Sequence, residues 1–130
     1  MRDPKRAETA TPHYGDFTDR LRGDHWQPDV DVYETESAVI VRAEIAGVRR
    51  DALRVTMDGD VLRIQGQRDA AGSEASRLHQ MEIATGPFER RVRLPVAVDR
   101  EKVSAHLEDG VLTVTLGRKS ERRDVPVMGE

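Results

Sequence analysis

Four histidines, His13, His25, His79 and His106, are the side chains here best suited to hold a metal or move a proton at neutral pH. Their spacing supports neither role. There is no His-x-x-x-His pair to present two imidazoles from one helix face, and the chain has no cysteine. The lack of cysteine also removes thiolate nucleophiles, thiolate ligands and disulfides. Glu108-Asp109 is a pair of adjacent carboxylates, but Asp109 precedes Gly110 between two alternating apolar runs, and turn chemistry accounts for it. Asp58-Gly59-Asp60 has the same turn character and lacks the glycine spacing of a phosphate-binding loop. The basic stretch 118–123 is broken by Glu121 and followed by Asp124, so it reads as a solvated hinge rather than a nucleic-acid or phospholipid contact. These residues predict no catalysis, no metal, no cofactor and no nucleic-acid partner.

The composition points the same way. The chain has 130 residues, 37% hydrophobic and 35% charged, with a formal net charge of −3. That predicts one domain with a modest core, a highly charged surface and short arms. A protein that coats nucleic acid would usually be strongly basic. No apolar run approaches the roughly 18 residues of a membrane span. Residues 1–8 lack the apolar stretch of a secretory signal, so the reading is cytoplasmic.

The elements that position these residues are strands. Val30 and Val32 alternate with Asp29, Asp31 and Tyr33. Val39, Val41, Ala43 and Ile45 alternate with Ile40, Arg42 and Glu44. Leu53, Val55 and Met57 lead into Asp58-Gly59, a hairpin signal, and Leu62, Ile64 and Gly66 continue beyond it. Asp109-Gly110 repeats the device between Ala105, Leu107 and Leu112, Val114, Leu116. About seven period-2 runs joined by short turns predict an all-β, immunoglobulin-like antiparallel β-sandwich over residues 26–116. In residues 86–95, alternation sends Arg91 and Arg93 to one face, and Arg90 to the other with Phe88, Val92 and Leu94. An arginine on an apolar face needs a partner or an edge, because burying it unpaired is costly.

Three segments stand apart from the sandwich. Residues 1–25 form an arm of balanced charge, where Tyr14, Phe17 and Leu21 fall on one face of a short helix. Three of the chain's five aromatics, Tyr14, Phe17 and Trp26, lie in or beside this arm, which suggests residues reserved for contacts. Residues 69–77 are small and polar, the pattern of a long flexible loop, and residues 78–81 could make a short strand riding on it. Residues 117–130 form a charged, mobile extension that ends near Val125-Pro126-Val127. Such an apolar knot cannot fold alone and needs a groove, most simply on another copy of the chain. Pro126 removes a backbone donor and favours an extended pose.

Over residues 26–127 the chain resembles the small heat-shock proteins, which are built on an α-crystallin domain, in their bacterial type. Residues 26–34, Trp-Gln-Pro-Asp-Val-Asp-Val-Tyr-Glu, resemble the start of that domain. Ala43-Glu44-Ile45-Ala46-Gly47-Val48 resembles its first core strand and turn, with Ala46 where the family usually has proline. Residues 62–68 resemble its middle hairpin. Phe88-Glu89-Arg90-Arg91-Val92-Arg93-Leu94-Pro95 matches closely, and residues 105–112 carry the alanine–glycine–valine–leucine block. Val-Pro-Val stands where the family usually has Ile-x-Ile.

The resemblance implies an ATP-independent holding chaperone under stress, whose non-native clients pass to ATP-dependent chaperones. It implies a homodimer that assembles into a larger homo-oligomer. The loop strand, Leu78, His79 and Met81, crosses to Val30 and Val32 of a partner, and Arg90 pairs with a carboxylate across that contact. The tail residues Val125 and Val127 insert between Val55 and Leu107 of a neighbour. One methylene fewer per site than isoleucine weakens docking by on the order of 1 kcal/mol each. Tyr14, Phe17, Leu21 and Trp26 are the expected client and assembly contacts, with Trp26 also a candidate to close one end of the sandwich. The competing reading is a monomeric co-chaperone or adaptor of the CS-domain type, which needs neither loop nor tail. A carbohydrate-binding sandwich would need more exposed aromatics than Tyr33 and Phe88.

Overall fold

The computed structural model describes residues 25–71, 74–120 and 124–130. Seven strands and one short 3-10 turn make up the domain: β1 (Val30–Glu34), β2 (Ala38–Glu44), the turn Arg50–Ala52, β3 (Leu53–Asp58), β4 (Val61–Arg68), β5 (Gly86–Arg93), β6 (Val98–Glu108) and β7 (Val111–Arg118). They form two antiparallel sheets, one in the order β1-β2-β7-β6 and the other β3-β4-β5. The expected β-sandwich is therefore what the chain adopts.

Both aspartate–glycine hairpins are present. Gly59 has φ +64° and Gly110 +79°, and Asp109 itself has φ +54°. Aspartate tolerates that left-handed conformation better than most residues, and glycine adopts it without a Cβ clash. The alternation in sequence becomes two facing apolar layers. Val39, Val41, Ala43, Leu112, Val114 and Leu116 from the larger sheet meet Leu62, Ile64, Phe88 and Val92 from the smaller. No polar or charged residue is buried among those described. The specificity of the core thus rests on packing and register alone.

One glycine is demanded by packing. A Cβ on Gly66 would lie 2.4 Å from the Ala52 carbonyl oxygen and 2.7 Å from the Phe88 ring. Gly66 sits directly opposite Phe88 in the β4–β5 register, and its missing side chain makes room for that ring.

Two expectations about segment boundaries change. Residues 78–81 form no strand within the single chain, since a strand needs a ladder partner and this segment pairs with none of the described strands. The extension expected from residue 117 begins later, because β7 runs to Arg118. Gly117 pairs with Ala38, the Arg118 N–H donates to Ser37 O at 2.9 Å, and the Lys119 N–H donates to Ala97 O at 3.0 Å. These bonds continue the ladder past the last core residue. β6 also starts earlier than its apolar run, with an irregularity in register between Val98 and Val103.

Candidate functional site

The sheet edges carry the unusual surfaces. β1 is an outer strand of the larger sheet, and Val30 and Val32 lie directly opposite Ala43 and Val41. They therefore point to the core side. Val30 is half-buried, but Val32 is 41% exposed. The inner face of β1 extends past the cover given by the narrower sheet.

The other pair of edges is β3 and β6. On β3, Leu53, Val55 and Met57 share the inner face with Gly66, Ile64 and Leu62. On β6, Val103, Ala105 and Leu107 lie opposite Leu116, Val114 and Leu112. Leu53, Val55, Met57, Val103 and Leu107 are half-buried and pack against the core, while Ala105, in the middle of its row, is exposed. The expected groove residues Val55 and Leu107 thus sit on the open edges of opposite sheets. Ala105 is a small, exposed residue between two half-buried ones, and sequence reasoning did not assign it. Its signal was a small residue between two large ones at period 2.

The segments expected to make contacts are uncovered. In the tail, Val125 is 71% and Val127 97% exposed. In the loop between β4 and β5, Leu78 is 67% and Ile83 72% exposed, His79 is exposed and Met81 is half-buried. Ile83 was missed, although an isoleucine in a polar loop is itself a signal.

Arg90 sits where alternation put it, opposite Ile64 on the inner face of the smaller sheet. Its Nη1 donates to the Pro28 carbonyl at 2.9 Å. One partner of this guanidinium is therefore a backbone oxygen of its own chain. Trp26 lies alongside β5, joined to it by an isolated parallel bridge with Phe88. Its N–H donates to Pro87 O at 3.2 Å and its carbonyl accepts from the Glu89 N–H at 3.1 Å. The indole Nε1 donates to Gly86 O at 3.1 Å, and the ring lies 5.0 Å from that of Phe88. Trp26 is half-buried and committed to these contacts within its own domain. Tyr14, Phe17 and Leu21 lie outside the described residues.

On the outer face of the smaller sheet, Arg63 and Arg91 stand directly opposite each other. Glu89 offsets that repulsion, with Oε2 2.7 Å from Arg63 Nε and 3.0 Å from Arg91 Nε. The bonds to Arg91 and then Arg63 hold the Glu89 carboxyl below its ordinary range. Arg93 and Asp60 add a second surface pair at 3.0 Å. Among the described residues no group of histidine and acidic side chains could hold a metal ion, and no helix is long and apolar enough to cross a membrane.

Residues 31–128 match the model of the Hsp20/alpha crystallin family. The chain belongs to that family of small heat-shock proteins. The 16.6 kDa heat shock protein of Oryza sativa subsp. japonica is 38% identical over 109 residues, 77% of this chain and 73% of the relative. Spore protein SP21 of Stigmatella aurantiaca is 36% identical over 106 residues, 81% of this small heat-shock protein and 63% of the relative. The 17.6 kDa class I heat shock protein 3 of Arabidopsis thaliana is 35% identical, and the chain spans 61% of its length. Relatives thus come from plants as well as bacteria, so a bacterial type is not distinguished. Among solved structures, a small heat-shock protein from Xylella fastidiosa superposes with a TM-score of 0.71 at 25% identity, covering 82% of this chain and 98% of the other. The hspA of Xanthomonas axonopodis gives 0.67 at 29% identity, covering 73% and 96%. The family is non-enzymatic, its members are generally chaperones, and they typically oligomerise.

Proposed function

We propose that this small heat-shock protein is an ATP-independent holdase that keeps unfolding proteins in soluble complexes for later refolding by ATP-dependent chaperones. Exposed apolar segments on a highly charged body compete for the apolar surface that stressed clients expose, and the charge keeps the complexes in solution. The working unit is a homodimer, built as the loop residues Leu78, His79 and Met81 reach the uncovered inner face of β1 at Val30 and Val32 of a partner. Arg90, already bonded to Pro28 O, has further donors for a carboxylate across that contact. Larger assemblies form as Val125 and Val127 dock against the half-buried apolar rows on the β3 and β6 edges of a neighbour. The related Xylella protein is described as having a distinct high-order structure. Tyr14, Phe17 and Leu21 of the arm at residues 1–25 complete the client-contacting set.

The observation that carries this reading is the tail. Val125 and Val127 are left mostly exposed on their own chain, while two edge strands keep half-buried apolar rows. A monomeric adaptor would need neither. The test is light scattering from a thermolabile protein heated without ATP, at rising ratios of this chain, with chromatography on the same samples. Suppressed scattering with co-eluting client supports holding. Unchanged aggregation with a monomer near 14.6 kDa favours the adaptor.

A further inference from the structure

Arg68 is the last residue of β4, and Gly86, its partner in register, is the first of β5. The chain therefore leaves the sandwich after Arg68 and re-enters it at Gly86. The guanidinium ties the surrounding segments together. Its Nε donates to Ala84 O at 2.9 Å, next to the exposed Ile83. Its Nη1 donates to Ala46 O at 3.1 Å, in the turn after β2. Its Cζ lies 4.2 Å from the centroid of the Trp26 ring, whose Nε1 donates in turn to Gly86 O. Both roots of the loop, the turn after β2 and the first described strand-like residue thus converge on one side chain. Burial lowers the Arg68 pKa, and the nearby Glu44 charge partly opposes that shift.

We infer that Arg68 is a positioning residue for subunit pairing: it aims the 74–85 segment at the partner and couples that aim to Trp26 beside β5. This rests on the reading that the loop engages a second copy. Only arginine offers a planar fork that donates along two directions while its face lies on an indole. Lysine keeps the charge and loses that geometry. Substitution should therefore release the loop roots and leave the sheets intact.

The experiment uses the full chain with Arg68→Lys and Arg68→Ala. Amide hydrogen exchange is followed by mass spectrometry, and subunit exchange with isotope-labelled wild type by native mass spectrometry. Exchange in the 74–85 segment and at Trp26 should rise by about tenfold in Arg68→Lys, with β2 and β7 protection unchanged. Subunit exchange should accelerate alongside it. Unchanged exchange in the loop overturns the inference even where thermal stability falls, and faster loop exchange with unaltered subunit exchange overturns the assembly role. A separate Leu78→Ser, Ile83→Ser variant with Arg68 intact tests the underlying reading. If its dimer is unaffected, the loop does not pair subunits, and Arg68 fails with it as a determinant of pairing. If its dimer dissociates while the Arg68 variants behave as wild type, only the role of Arg68 is refuted.

Discussion

Replacing Val125 and Val127 by alanine should weaken assembly without weakening the subunit. Val127 is 97% exposed and Val125 71% exposed on the single chain, so nearly all of the apolar surface they can bury is still available for a neighbour. Each Val→Ala change removes two methyl groups, and burial contributes about 0.8 kcal/mol per carbon. Docking at full burial would thus lose about 1.5 kcal/mol at Val127. The loss would be about 1 kcal/mol at Val125, which is already partly covered. Together these correspond to a tail–groove affinity weaker by on the order of 50- to 100-fold. The converse change to isoleucine at both positions adds one carbon per site and should tighten docking by roughly tenfold. The assay is light scattering coupled to size exclusion over a dilution series, with thermal unfolding on the same samples. Double-alanine particles should fall apart at higher concentration than wild type, the isoleucine form should persist to lower concentration, and subunit unfolding should be unchanged. The reasoning is refuted if particle mass against concentration is the same for all three proteins. It also fails if alanine destabilises the isolated subunit, because the tail would then be packed on its own chain.

Other outcomes follow from the same geometry. Gly66→Ala places a Cβ against the Ala52 carbonyl and the Phe88 ring, and should cost about 1–3 kcal/mol in denaturant unfolding. Arg90→Gly removes the donor to Pro28 O and loosens β5. It should cost about 1–3 kcal/mol and shift the sedimentation profile, and an unchanged profile would count against a role for Arg90 in assembly. Glu89 has a carboxyl pKa lowered from 4.5 by its bonds to Arg91 and Arg63. The unfolded chain therefore takes up this proton first as pH falls, so the stabilisation is complete above the ordinary carboxylate value and is lost as pH drops through the lowered one. Glu89→Gln should lower thermal stability near neutrality, and its gap from wild type should close in that acid window; a constant gap would show that the ion pairs contribute nothing.

Much of the sandwich was readable because strand periodicity is local. Val39, Val41 and Ala43 announce an inner face by spacing alone, and Asp58-Gly59 and Asp109-Gly110 announce turns by the backbone angles they tolerate. The placement of Arg90 among Phe88, Val92 and Leu94 came from the same two-residue period. The 78–81 segment was harder to assign, since its apolar residues suggest a strand but it has no ladder partner among the described residues. Arg68 was unreadable as a functional residue. Nothing adjacent to it in sequence reveals that Ala46, Ala84 and the Trp26 ring converge on it.

The amino-acid order by itself determined which residues face inward, where the chain turns, and that the tail carries an apolar pair with no local partner. These properties depend on neighbours a few residues away, through side-chain alternation and turn stereochemistry. Only the tertiary structure decided which edges stay open. That the inner-face Val32 of β1 stays exposed and that β3 and β6 are left as edges follow from how two sheets of unequal width stack, and that Glu89 meets Arg63 follows from the β4–β5 register. Such pairings join residues distant in sequence, and no periodicity along the chain encodes them.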